Sequence, residues 1–136
     1  MKAYQSKFRI LSGSNYKEVY SVALRIYKQI KSKTKRRPYI RSAYFKKDKI
    51  FLDYFWQHLR QKNLKDRFRR LKYYQCALDL IRNSRIEPTS KQNVDRPSEI
   101  LHRFTGLTKN KEIFFVQISE DKETDQKHFM SVFPFE

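Results

Sequence analysis

The chain has 136 residues, enough for one domain. Its 31 Lys and Arg residues outnumber its 14 Asp and Glu residues, which gives a formal net charge of +17, and 15% of the residues are aromatic. This aromatic content excludes a wholly disordered basic tail, the single Cys76 excludes a disulfide framework, and no apolar run approaches the ~20 residues of a membrane span.

The first part of the chain predicts an extended segment followed by a helix. Residues 4–11 alternate weakly and predict a strand or an arm. Asn15 precedes Glu18 by three residues, the spacing of a capping box. Apolar residues then recur at helical spacing and predict a helix over 16–33, which Pro38 prevents from continuing.

The middle of the chain predicts two further helices joined by polar segments. Residues 39–47 form a basic, aromatic connector. Apolar residues at helical spacing predict helices over 49–61 and 64–82. Residues 88–98 contain two prolines and few apolar side chains, so we expect a loop there, long enough to be functional.

The last third of the chain changes from helical to extended patterning. Residues 99–104, 112–118 and 127–133 are β-type runs separated by turn signals, which predicts an antiparallel meander of three strands. The expected fold class is therefore α+β, with N-terminal helices packed on one face of a small C-terminal antiparallel sheet. We expect a single domain, in which 1–47 supplies a basic helix and connector and 48–136 supplies the core.

The positive charge predicts a polyanionic partner. An excess this large opposes compaction by self-repulsion, and nucleic acid is the leading candidate to compensate it, ahead of an anionic membrane surface or an acidic protein. Most of the Lys and Arg lie in residues 1–85, including the run at 31–37, whereas the last forty residues are close to balanced. The N-terminal half should therefore present the binding field.

Several kinds of chemistry are missing from the sequence. The two glycines cannot build a phosphate-binding Gly-rich loop, and no zinc-ligand spacing or nucleophile elbow is present. The carboxylates are not clustered as a two-metal nuclease requires, so we expect neither a metal nor a cofactor. The remaining His, Arg and Lys residues suit metal-free RNA cleavage, in which the 2′-OH of the RNA attacks the adjacent phosphate.

An ordered set of short motifs carries a resemblance to a known superfamily. The motifs are a helical His58, an Arg-rich helix at 67–70, Pro88, Arg103 in a His-Arg-Phe strand, the hydrophobic strand 114–118, and the ending Ser131-Val132-Phe133-Pro134. Over about residues 50–134 the chain resembles the barnase–EndoU–colicin–RelE-type endoribonucleases and toxins, particularly their phage-associated and polymorphic-toxin members. Those members usually carry Thr and Tyr where this chain has Ser131 and Phe133.

Five residues are the candidates for catalysis. His58 is a candidate general base or acid, because histidine alone has an unperturbed pKa near neutrality, or else a buried core histidine. Arg70 would clamp a phosphate, and Arg103 would contact the phosphate or the transition state, the alternatives being a solvated face and a structural ion pair. Strict alternation places Lys127 and Ser131 on one face of the last strand, where Lys127 would neutralise developing charge and Ser131 would donate a hydrogen bond to phosphate.

A second group of residues is predicted to bind RNA. The connector mixes cations with aromatics, which suits neutralisation of the backbone together with base stacking, or equally a solvated linker with its aromatics in the core. The residues assigned to RNA binding are Arg36, Arg37, Arg41, Tyr44, Lys46, Arg67 and Arg69.

Three functional hypotheses remain open. The first is a small, cytoplasmic, metal-independent endoribonuclease of toxin-like type that cleaves tRNA or mRNA, with no membrane partner, and that an acidic antitoxin or immunity protein inhibits. The second is a non-catalytic RNA- or DNA-binding protein from a mobile element or a toxin–antitoxin type system. The third is an accessory protein that binds one acidic partner. The cytoplasmic location is expected because the N-terminus lacks the apolar core of a signal peptide.

Overall fold

Helices lie mostly in the first half of the chain and strands mostly in the second, so the fold class is α+β as predicted. The computed structural model describes residues 2–135. The helices are α1 (Tyr16–Ser32), α2 (Asp53–Arg60), α3 (Leu64–Leu71) and α4 (Tyr74–Asn83). The strands are β1 (Tyr4–Gln5), β2 (Tyr39–Arg41), β3 (Lys49–Phe51), β4 (Thr89–Asn93), β5 (Arg96–Leu107), β6 (Ile113–Asp121) and β7 (Lys127–Pro134).

The sheet has seven strands in the order β1-β5-β6-β7-β3-β2, with β4 paired to β5. The predicted antiparallel meander is present as β5-β6-β7 and forms the centre of the sheet. The sheet is mixed rather than purely antiparallel, because β1 runs parallel to β5 and β3 runs parallel to β7. These added strands are two or three residues long, too short to show a pattern of alternation in the sequence.

The first helix agrees with its prediction in both position and cap. The side chain of Asn15 accepts a hydrogen bond from the backbone N–H of Glu18 at 3.0 Å, and the Glu18 carboxylate accepts from the backbone N–H of Ser14 at 3.1 Å. Val19, Ala23 and Ile30 are buried on the inner face of α1. Local sequence therefore determines this helix.

The predicted helix over 49–61 begins later than expected. Residues 49–51 form β3, which lies between β2 and β7, and α2 starts only at Asp53. The apolar spacing that predicted the helix includes Phe51, whose backbone instead pairs with β7 at His128. The partner strand lies far along the chain, so no local pattern could reveal this strand.

The expected loop over 88–98 is wrong. Residues 89–93 form β4, which pairs antiparallel with β5, and Asp95 lies in the turn, where its backbone N–H donates to the Asn93 side chain at 3.0 Å. Four of the five residues of β4 are exposed and none is apolar. Backbone pairing holds this strand in place, and backbone pairing leaves no hydropathy signal.

The predicted helix over 64–82 is divided into α3 and α4. The backbone N–H of Leu11 donates to the carbonyl of Lys72 at 2.8 Å. This bond takes a carbonyl that a continuous helix would use internally, and α4 begins two residues later at Tyr74. The N-terminal segment therefore ends one helix and starts the next.

A β-bulge in β7 changes which side chains share a face. Gln117 of β6 lies opposite Ser131 and Ile118 lies opposite Phe129, so Met130 is an extra residue. Phe129 and Val132 are consequently both buried in the core. The predicted strict alternation, with Lys127, Phe129, Ser131 and Phe133 on one face, is wrong because the bulge lies within it.

The core draws on the whole described chain. One hydrophobic cluster extends from Leu11 to Val132, and α4 is its centre, with every residue from Cys76 to Ile81 buried. Asp79 is buried in the same helix and accepts hydrogen bonds from Ser6 Oγ at 2.7 Å and from Tyr4 Oη at 3.1 Å. Burial and the Asp79 carboxylate raise the pKa of Tyr4 to about 12.

Candidate functional site

A cleft lies where the open face of the sheet meets α2 and α3, with a volume of about 390 Å³. Four of the five residues predicted to be catalytic line it: His58 from α2, Arg70 from α3, Arg103 from β5 and Ser131 from β7. The other lining residues are Lys62, Asn93, Glu99, Leu101, Gln117, Met130 and Phe133. We call this the arginine cleft.

Two guanidinium groups converge on one aromatic ring in the arginine cleft. The guanidinium carbon of Arg70 lies 5.4 Å from the centroid of the Phe133 ring, and that of Arg103 lies 5.3 Å from it. Arg103 also lies 5.8 Å from the centroid of Phe115 on the same sheet face. Cation–π contacts of this kind fix the orientation of a guanidinium while leaving its N–H groups free to donate.

The two arginines differ in how far their charge is already compensated. The Nε of Arg70 donates to a carboxylate oxygen of Asp66 at 3.1 Å. Arg103 is exposed, and within residues 2–135 no carboxylate pairs with it, so the structural ion pair considered for it is absent there. An uncompensated guanidinium beside a cleft is a site for an anion.

His58 is half-buried rather than a core residue, and it faces this cationic environment. Burial lowers the pKa of the His58 imidazole, and the charges of Lys62 and Arg70 lower it further, while Glu99 acts in the opposite direction. At neutral pH the imidazole is therefore neutral and able to accept a proton.

Glu99 is a lining residue that the sequence reasoning did not single out. Its two carboxylate oxygens each accept a hydrogen bond of 2.6 Å, one from Asn93 Nδ2 of β4 and one from Ser119 Oγ of β6. The Glu99 side chain thus links β5 to β4 and β6 in the lining of the cleft. Glu99 and Arg103 lie four positions apart on β5, so alternation would have placed both on one face.

Lys127 is not part of the arginine cleft. Its ammonium is buried and lies close to three carboxylates: Asp48 at 2.9 Å, Asp125 at 3.2 Å and Glu120 at 3.7 Å. Burial opposes its charge, but the hydrogen bonds to Asp48 and Asp125 outweigh burial and hold the pKa of Lys127 above its ordinary value. The bulge in β7 separates Lys127 from the face of Ser131, so the predicted grouping of these two residues is wrong.

A histidine–carboxylate pair exists where the sequence showed none. His102 Nε2 lies 2.7 Å from a Glu120 carboxylate oxygen, and His102 Nδ1 lies 2.6 Å from Ser90 Oγ. His102 is buried and packs against Phe45, with its ring centroid 5.0 Å away. The contacts of His102 with Ser90 and Glu120 link β4, β5 and β6 through side chains. Because His102 directly precedes Arg103, these contacts hold the part of β5 that carries Arg103.

Two of the residues predicted to bind RNA, Arg37 and Tyr44, make contacts with other side chains of the protein. Arg37 donates to both carboxylate oxygens of Asp53, at 3.2 and 2.8 Å, and its guanidinium carbon lies 4.2 Å from the centroid of Phe51. Tyr44 packs edge-to-face against Phe104 at 5.6 Å between centroids. The alternative interpretation, in which connector aromatics are buried, therefore describes Tyr44.

The remaining predicted RNA-binding residues divide into bonded and exposed groups. Arg67 donates to the carbonyls of Arg60 and Lys62 and so closes the turn between α2 and α3, while Arg69 donates to Asp66 at 2.8 Å. Arg36, Arg41 and Lys46 are exposed, and of these Arg41 donates to the carbonyl of Lys47 at 2.8 Å.

No family model, no curated protein and no solved structure matches this chain. The resemblance of its motifs to small endoribonucleases therefore remains a prediction. None of the helices in residues 2–135 is both long and apolar enough to cross a membrane. Within the same residues, no three His, Cys, Asp or Glu side chains are grouped so that they could hold a metal ion.

Proposed function

We propose that the protein is an endoribonuclease that cleaves RNA through attack of a 2′-OH on the adjacent phosphate, with the arginine cleft as its active site. The observation that carries the proposal is the convergence of His58, Arg70, Arg103 and Ser131 in one cleft, although they come from four different elements. The cleft thus combines a neutral imidazole with two guanidinium groups, the inventory that this reaction needs.

In the proposed reaction His58 accepts the proton of the 2′-OH as its oxygen bonds to phosphorus. Arg70 and Arg103 donate hydrogen bonds to the non-bridging oxygens, on which negative charge increases in the transition state. The bond to the 5′-oxygen breaks and that oxygen takes a proton from water. The products are a 2′,3′-cyclic phosphate and a 5′-OH end.

Ser131 and Glu99 have supporting roles in this mechanism. The Ser131 hydroxyl is half-buried in the cleft and donates to a phosphate oxygen. Glu99 is a positioning residue, because its carboxylate is already occupied by Asn93 and Ser119 and holds β4 and β6 to β5.

The test is cleavage of tRNA and mRNA by the purified protein in EDTA, with the fragment ends identified by mass. We expect cyclic phosphate ends, and no cleavage where the nucleotide 5′ to the scissile bond is 2′-deoxy, because the nucleophile is then missing. Arg103→Ala should lower kcat by about 10² to 10³, the usual loss of one donor to a developing oxyanion.

Arg96→Ala is the matched control, since Arg96 is an exposed arginine of the same strand that does not line the cleft. Equal activity of the two variants, or fragments from a 2′-deoxy substrate, would overturn the assignment. Binding of RNA without any fragments would favour the alternative function, a non-catalytic RNA-binding protein.

A further inference from the structure

A second pocket lies between α1, β2 and α4, with a volume of about 520 Å³. Three cations line it, Lys33 after α1, Arg41 of β2 and Arg82 of α4, and all three are exposed. None of the residues that line it also lines the arginine cleft. We call it the α1–α4 pocket.

The charge of the α1–α4 pocket is uncompensated. Its lining contains no Asp or Glu, and within residues 2–135 none of the three cations pairs with a carboxylate. Three like charges around one concavity repel each other, and the field lines of such a concavity are focused toward its opening. This arrangement is stabilised when an anion with several negative charges enters.

One of the three cations, Arg41, is held in place before any ligand binds. The guanidinium of Arg41 lies 5.4 Å from the centroid of the Tyr39 ring, and Nη1 of Arg41 donates to the carbonyl of Lys47 at 2.8 Å. The ammonium of Lys49 lies 4.7 Å from the same ring and adds a fourth cation beside the pocket. Fixed side chains lose less conformational entropy on binding than mobile surface lysines do.

The pocket also offers uncharged hydrogen-bonding groups. The side-chain amides of Gln29 and Gln75 line it, and neither has a hydrogen-bond partner among the described residues. Amide groups both donate and accept, as sugar hydroxyls and base edges require. A lining that combines three cations with two free amides suits a sugar-phosphate backbone better than a simple inorganic anion.

We propose that the α1–α4 pocket is a second RNA-binding site, which holds the sugar-phosphate backbone of a strand whose scissile phosphate lies in the arginine cleft. This proposal rests on the proposed function for the identity of the ligand. It gives the N-terminal third of the chain a role in holding substrate, with Lys33, Arg41 and Arg82 each neutralising one phosphate. The site raises affinity for long RNA and takes no part in bond breaking.

The experiment measures binding of a 2′-O-methyl RNA, which cannot be cleaved, across a series of salt concentrations. The pocket variant is Lys33→Gln/Arg41→Gln/Arg82→Gln. The control variant is Lys17→Gln/Lys109→Gln/Lys122→Gln, which removes the same charge from exposed lysines that line none of the cavities described above. A second variant, Lys33→Gln/Arg82→Gln, retains the Arg41 hydrogen bond to Lys47 and so protects the test against misfolding.

We expect the pocket variant to bind long RNA at least about tenfold more weakly than the control variant. The slope of log K against log salt should be smaller in magnitude for the pocket variant than for the wild type, by about 2. Each phosphate that is no longer neutralised lowers this magnitude by about 0.7. The double variant should show about two-thirds of that slope change. Cleavage of a dinucleotide, whose single phosphate is the scissile one and leaves none for the α1–α4 pocket, should proceed at the wild-type rate.

Equal weakening in the pocket and control variants would overturn the proposal, since only net charge would then matter. Unchanged binding in the pocket variant, or an equal loss in dinucleotide cleavage, would also overturn it. Wild-type binding that depends on the pocket, without cleavage of any RNA, would retain this site and refute the proposed nuclease instead.

Discussion

The proposed cleavage reaction depends on the protonation state of one imidazole, that of His58, and the surrounding charges influence that state. Burial and the cations Lys62 and Arg70 favour the neutral form of His58, whereas Glu99 favours its protonated form. Their balance lowers the pKa of His58 below its ordinary value. A general base with a lowered pKa is available over a wider range of pH on the acid side, at the cost of weaker basicity.

Replacement of one neighbouring cation should therefore move the pH dependence of cleavage. Lys62→Met removes a charge that lowers the pKa of His58, so that pKa should rise. The acid limb of kcat/KM, which reports the free enzyme, should then shift to higher pH, whatever happens to the maximal rate. The measurement is a pH–rate profile on a minimal RNA substrate.

Lys65→Met is the control for this shift, because Lys65 is an exposed cation of α3 that does not line the cleft. A limb that stays in place in Lys62→Met, or that moves to lower pH, would show that His58 is not the group that titrates.

Among the secondary-structure elements, one buried cation stabilises the pairing of β3 with β7. Lys127 begins β7, pairs with Ile50 of β3, and binds Asp48 just before β3 and Asp125 in the preceding turn. Only 4% of its side chain is exposed, whereas Asp48 and Asp125 are 48% and 77% exposed. The cation is thus deeply buried while two of its partners remain solvated.

Lys127→Met should destabilise the fold without changing the chemistry. We expect the free energy of unfolding to fall by about 1–3 kcal/mol, less than for a fully buried pair, because water screens the exposed carboxylates. The measurement is urea unfolding of the variant beside Lys122→Met, which replaces an exposed lysine. If Lys127→Met instead retained full stability and lost cleavage to the extent of Arg103→Ala, Lys127 would belong to the catalytic machinery after all.

At the scale of the whole molecule, the N-terminal third is part of the core rather than an attachment to it. Val19, Ala23 and Ile30 of α1 and Ile40 of β2 belong to the same buried cluster as the meander. β1 extends one side of the sheet beside β5, and β2 lies at its other end beside β3. The basic part and the balanced part of the chain therefore share one core.

A fragment of residues 48–136 should consequently fail to fold on its own. It would lack α1, β1 and β2 and expose the apolar surfaces of α3 and α4 that α1 contacts in the full chain. We expect a cooperative thermal transition by calorimetry for the full chain and none for the fragment. A cooperative transition in the fragment would mean that the C-terminal segment is an independent core.

Local sequence patterns predict the features that depend on neighbours along the chain. The capped helix α1, the strands of the meander and the fold class follow from local spacing of apolar residues and from side-chain capping. Four of the five candidate catalytic residues also line one cleft, and their catalytic roles stay a prediction.

Features that depend on partners far along the chain became visible only in the folded protein. The break between α3 and α4 needs the Leu11 amide, β3 needs β7 beside it, and the exclusion of Lys127 from the cleft needs the bulge opposite Gln117 and Ile118. Glu99 and the α1–α4 pocket likewise combine elements that no local pattern connects. The physical reason is that periodicity records which face of an element is buried, whereas backbone pairing and register are set by the strand that lies alongside.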